Sequence, residues 1–197
     1  VRKSATFKRC AKGWKVAVEF KNRSVKQVIQ PYTFGAWLGS GRSSGFGITT
    51  AVAKIEQEVA AFADSIGQRP ARVAKHGSAS STSVFRNPCP GTSHTGSRGL
   101  ALSRHLRNMG VYKNKHIPLS YKTASAVERL ELLAGILDTG GRLNRSGAFE
   151  YVSVSDKLAD DVVFVARSLG FSVTRRVRKK RSRNNGAVGV YHVLIIG

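Results

Sequence analysis

Residues 34–42, FGAWLGSGR, and residues 134–142, AGILDTGGR, align at a constant offset of 100, with Gly35 opposite Gly135, Gly41 opposite Gly141, Arg42 opposite Arg142 and Ser40 opposite Gly140. Such a repeat commits the chain to two like halves, since each half must bury the same kind of face. The likeness extends beyond the motifs: AFADSIG at 61–67 answers VARSLGF at 165–171, each an amphipathic segment closing at a glycine.

With 197 residues, 41% of them hydrophobic, the chain can bury a real core as one domain of two halves. Lys and Arg number 33 against 11 Asp and Glu, a formal charge of +22 that strains compaction and points to a polyanionic partner. The basic residues are spread. Residues 1–30 carry nine of them against Glu19 alone, and RRVRKKRSR at 175–183 is denser still. Trp14, Val16, Val18 and Phe20 alternate with Lys15, Ala17, Glu19 and Lys21, which predicts a basic hairpin over 4–21 turning near Gly13. A rigid basic sheet can track a duplex.

The chain has no run of about twenty apolar residues to span a bilayer, and its N-terminus lacks the apolar core of a signal peptide. Cys10 and Cys89 are too few and too far apart for a disulfide framework, and Cys89 with His94 lacks a second ligand pair for zinc. The expectation is a soluble intracellular protein, cytoplasmic or in the nucleoid or nucleus.

Pro31 opens a short helix to about Gly39, followed by a strand at 46–50 and an amphipathic helix at 53–66 with Ile55, Val59, Phe62 and Ile66 on one face. Residues 71–97 read as two modest strands around a polar loop, and 100–109 as a helix. Ser125 and Glu128 form a capping box before a second motif helix whose stripe Leu130, Leu133, Ala134 and Leu137 has core spacing. A strand at 148–154, a helix at 156–169 and strands at 172–179 and 189–196 then restate the first half. The fold class is α+β, with two sheets related by a pseudo-twofold axis where the motif helices meet; Gly35, Ala36, Gly39, Ala134 and Gly135 are small enough for a close crossing.

YTFGAWLGSG, LLAGILDTGG and the intervening NKHIP together make residues 31–197 resemble a single-chain LAGLIDADG homing endonuclease, most like the endonuclease portion of an intein. The resemblance implies two αββαββ halves, 31–122 and 123–197, forming a DNA-binding β-saddle, with 1–30 a basic extension. It implies a monomer with an internal pseudo-dimer, bound to double-stranded DNA at a long asymmetric target. In the family an acid ends each motif helix, and the two acids hold Mg²⁺ against the scissile phosphates. Here those positions are Ser40 and Gly140, so cleavage is expected to be lost. Lys115 matches the family lysine beside the active site, and its counterpart in the second half falls near Val188, where lysine is absent.

Asp138, two positions earlier in the second motif, is either a displaced metal ligand, with Glu150 as a further donor, or an acceptor of backbone N–H groups at the helix junction. The first option keeps an active Mg²⁺ nuclease. A third reading places an RNA maturase or transcriptional regulator on the same fold, against which the scarcity of aromatics in the basic stretches argues. Arg42, Arg72, Lys75, Arg86 and Arg142 are candidate DNA contacts, as are Arg145, Arg175, Arg178, Lys180 and Arg183. Since splicing needs a terminal Cys or Ser and a closing His-Asn, the chain as written, Val1 to Gly197, is expected not to splice.

Overall fold

The computed structural model describes residues 16–20, 27–43, 45–50, 52–66, 70–74, 81–85, 99–181 and 188–197. Helix α1 (Pro31–Ser40) starts with proline in its first turn, where the missing N–H costs nothing. Strand β1 (Gly47–Thr50), helix α2 (Ala53–Ser65) and strands β2 (Pro70–Ala74) and β3 (Ser81–Phe85) follow, then helices α3 (Gly99–Asn108) and α4 (Leu119–Lys122). The second half opens with α5 (Ala126–Gly140), whose capping box forms as the sequence predicts: Ser125 accepts from the Glu128 N–H and Glu128 from the Ser125 N–H. It continues through β4 (Gly141–Leu143), β5 (Phe149–Ser153), α6 (Asp156–Ser168), β6 (Val173–Arg181) and β7 (Val188–Ile196). Among the described residues no helix is long and apolar enough to cross a membrane.

Two antiparallel sheets form, in the orders β1-β3-β2 and β4-β5-β7-β6. Superposed by repeat, β1, β3 and β2 answer β5, β7 and β6. Strand β4, whose Gly141 pairs with Tyr151, is reduced in the first half to a single bridge, Gly41 to Ile48. The architecture is therefore the expected α+β arrangement of two related halves.

The helix crossing explains the glycines. A Cβ on Gly35 would lie 2.1 Å from the Leu132 carbonyl oxygen, and one on Gly135 would lie 2.1 Å from that of Tyr32. Both partners obey the same offset of 100, so one local contact is made twice about a pseudo-twofold axis. Further along, the Thr139 hydroxyl fills the space a Gly39 side chain would take, and lies 3.1 Å from the Ala36 carbonyl across the interface. Gly41 and Gly141 end the helices for a steric reason. Their φ values, −73° and −95°, suit any residue, but a Cβ would fall 2.4 Å from the Trp37 carbonyl oxygen or 2.6 Å from that of Leu137.

Two expectations are corrected. Leu133 and Leu137 of the expected α5 stripe are buried, but the buried face widens to Arg129, Leu132 and Ile136, whereas Leu130 is 49% exposed. A helix that packs on α1 along one side and on the core along another carries apolar residues around most of its girth, and periodicity alone misplaces the stripe. At the N-terminus, residues 16–20 join no strand among the described residues, and Val16, which a hairpin would bury, is 67% exposed. This segment lies along α6 instead. The Val18 N–H donates to the Ser168 carbonyl at 2.8 Å, Phe20 stacks on Phe164, and fully buried Arg129 donates to the carbonyls of Ala124 and Val18 and to the Ser168 hydroxyl. The rest of the expected hairpin lies outside the described residues, as do Cys10, Cys89 and His94.

Candidate nucleic-acid interface and the helix ends

The C-terminal ends of α1 and α5 meet beside the strands that follow them. Ser40 commits its hydroxyl to the Thr49 carbonyl at 2.9 Å. At Gly140 the place of a side chain is bounded by the Tyr151 ring, whose Cε2 lies 3.0 Å from an ideal Cβ. Burial pushes that tyrosine's pKa up to about 12, so its ring stays neutral.

Lys115 enters from the segment between the halves. Its neighbour Lys113 holds a left-handed φ of 57°, and the Lys113 N–H donates to the Ser43 carbonyl at 2.8 Å. Downstream, the Ile117 N–H and the Lys122 ammonium both donate to buried Asp161 on α6, each at 2.7 Å. Held between two anchors, Lys115 sends its ammonium to the end of α1, where it donates to the carbonyls of Trp37 (2.8 Å), Leu38 (3.0 Å) and Gly41 (2.7 Å). Three N–H bonds meet three acceptors. The ammonium that the family resemblance sets beside the active site spends its donors here on the helix end. Burial draws its pKa down to about 8.

Asp138 bonds to a side chain across the helix crossing. Its carboxylate accepts the Tyr32 hydroxyl at 2.9 Å in a groove along α1, α2 and α5 that is also lined by Glu58 and Glu131. Burial and the Asp138 charge raise the Tyr32 pKa. Glu150 is drawn to Arg142 at 3.1 Å. The donor set expected to hold Mg²⁺ therefore does not fit it: one hydroxyl is committed to a carbonyl, one side chain is missing, one carboxylate is turned toward a phenol, and a resident ammonium stands at the helix end. Among the described residues no cluster of three Asp, Glu, His or Cys is arranged to hold a metal.

Register sorts the basic residues of the four-stranded sheet. Residues directly opposite one another share a face. Val173, Arg175 and Val177 stand opposite Ile196, Leu194 and His192, the face on which α6 packs. Arg175 is accordingly removed from the candidate DNA contacts: it pairs with Asp156 and Asp160 of α6 and lies 2.7 Å from His192 Nδ1. The other face carries Arg176 opposite Val193, Arg178 opposite Tyr191, Lys180 opposite Gly189 and, across the sheet, Arg142 opposite Glu150. Tyr191 lies over Gly189, where a Cβ would come within 2.8 Å of the ring.

Arg176 joins Arg178 and Lys180 on the open face although the sequence reading passed over it. The signal was the parity set by Val173. Arg145 is exposed at the tip of the β4–β5 turn, which Asn144 ties by accepting the N–H groups of Ser146 and Ala148. Arg42 answers Arg142 in the first half, its N–H bonded to the Gly47 carbonyl and its side chain exposed. Arg72 lies on β2 opposite Ser83. Lys75, Arg86 and Arg183 are outside the described residues. Val188 opens β7, exposed, opposite Arg181.

Residues 128–197 match the family of LAGLIDADG-like domains. The chain is 32% identical over 165 residues to the replicative DNA helicase DnaB of Mycobacterium intracellulare, covering 83% of this chain but only 23% of that protein. Its fold matches the homing endonuclease I-DmoI. In the complex of I-DmoI with DNA and Mn, the match covers 86% of this chain and 89% of the other, with a TM-score of 0.53 at 14% identity. In a structure of mesophilic I-DmoI variants it covers 86% and 88%, with a TM-score of 0.55 at 13% identity. Likeness at such low identity establishes the LAGLIDADG fold, which the paired motif helices and two antiparallel sheets already display.

Proposed function

We propose that the chain is a site-specific double-stranded DNA-binding protein on a LAGLIDADG endonuclease scaffold, carried within a replicative helicase as the endonuclease part of an intein, and unable to cut. The observation that carries the reading is the open sheet face with Arg142, Arg176, Arg178 and Lys180, beside helix ends where Ser40 and Gly140 replace the metal-holding acids. Two motif helices fix the spacing of two sheets, the second of them strongly basic, so a duplex laid across both would be read over a long, asymmetric site, with Arg favouring guanine edges and phosphates. The match to part of a DnaB protein supports the intein setting, since the shared region is a small fraction of that protein's length.

Competition separates duplex DNA from RNA. A labelled target duplex should be displaced by the same unlabelled duplex and not by an equal mass of structured RNA; preferential displacement by RNA would favour a maturase instead. The reading that keeps an active nuclease through Asp138 requires Mg²⁺-dependent cutting that Asp138→Asn abolishes. Its bond to Tyr32 makes Asp138 a poor candidate for that work.

A further inference from the structure

We infer that the Lys115 ammonium is the resident cation of the first motif-helix end, carrying there the positive charge that a divalent metal supplies in a metal-loaded LAGLIDADG protein, so that the chain engages DNA without a divalent ion. The seat is built from backbone. Leu38 and Gly41 offer carbonyls at the end of α1, where the helix dipole is negative, and the Trp37 carbonyl, which also accepts the Gly41 N–H, gives its second lone pair; the ammonium lies 2.7–3.0 Å from all three. The Trp37 ring adds a face 5.0 Å from the same nitrogen.

Both ends of the lysine are fixed. Its carbonyl is approached by the Ser155 hydroxyl at 3.4 Å, and Lys113 and Ile117 on either side are bonded to Ser43 and Asp161. A metal entering beside Ser40 would meet a like charge and a hydroxyl already engaged, whereas a phosphate crossing the helix ends would meet a positive field. A compact ammonium suits three convergent carbonyls, which a planar guanidinium does not.

The first arm of the test needs no DNA. The full chain is titrated with Mn²⁺ and bound ion is read by electron paramagnetic resonance; no site filling below about 1 mM is expected, since hard cations need several oxygen ligands. A one-to-one site at about 100 µM or tighter would overturn the inference.

The second arm rests on the duplex-binding reading. Affinity for a selected duplex should stay within about twofold between EDTA and Mg²⁺ at matched ionic strength, and a tenfold gain in Mg²⁺ would contradict the resident charge. Lys115→Met should weaken that duplex about five- to tenfold at low salt, with the loss shrinking as salt is raised because what is lost is a field acting on phosphates; an affinity unchanged by the substitution at low salt would overturn the assignment. Should no duplex be bound at all, the functional reading fails, and the Mn²⁺ titration still decides the seat.

Discussion

Two single residues, Ser40 and Gly140, stand at the helix ends without a carboxylate. Gly140 is bounded by Tyr151, and Ser40 bonds to Thr49, so reinstating the acids as Ser40→Asp with Gly140→Asp requires the Tyr151 ring to shift and puts a carboxylate against a carbonyl. That double variant is expected to lose about 1–3 kcal/mol of stability, measurable in urea. If it folds and binds its duplex but fails to cut in Mg²⁺, loss of these acids is not the cause of inactivity. Lys115 supplies a pH-dependent check. Its folded pKa near 8 lies below the ordinary lysine value of 10.5, so between those pH values the unfolded chain holds the proton more tightly, and stability rises with pH across that window. The Tm advantage of the wild type over Lys115→Met should widen from pH 8 toward 10.5, and a constant difference would show that burial does not shift this lysine. The sequence marked Ser40, Gly140 and Lys115 but not the bonds they make. The three carbonyls around Lys115 belong to residues more than seventy positions away, and only folding brings them to one point.

Among elements, the α1–α5 crossing is the most demanding. A methyl at Gly35 would press on the Leu132 carbonyl oxygen, so Gly35→Ala should cost about 3 kcal/mol and lower the Tm by about 10 °C, with Gly135→Ala behaving alike because the contact is repeated. An unchanged melting curve for either would mean that the helices do not cross here. The paired glycines at a constant spacing made this interface readable in the sequence. The stripe on α5 was legible only in part, because Leu130 shares a row with buried Leu133 and Leu137 yet is exposed, while Leu132 and Ile136 are buried on a second face. The strand β6 shows the same limit in another form: RRVRKKRSR is cationic on both faces, and only the partners of Arg175 on α6 and the register with β7 tell which arginines face outward. Residues 16–20 alternate as a strand would, yet α6 takes them as an extended strap through Val18, Phe20 and Arg129.

For the whole molecule, a formal charge of +22 guarantees general attraction to nucleic acid, so magnitude of binding alone says little. Placement says more. Replacing Arg176, Arg178 and Lys180 together by Gln should reduce the log–log salt slope by up to about 2.7, at about 0.9 per lost phosphate contact, whereas Arg175→Gln should leave the slope intact and lower stability through the loss of its pairs with Asp156 and Asp160. The reverse result would put the duplex on the other face of the sheet.

The central claim, specific recognition of duplex DNA without cleavage, meets its most direct test in selection from a randomised duplex library in Mg²⁺ at physiological salt, with bound-intact and cleaved molecules sequenced from one tube. Enrichment of one long asymmetric motif among intact molecules alone is the expected result. Cleaved ends clustered at the centre of that motif would contradict it, and would mean that a metal is held by groups other than Ser40 and Gly140.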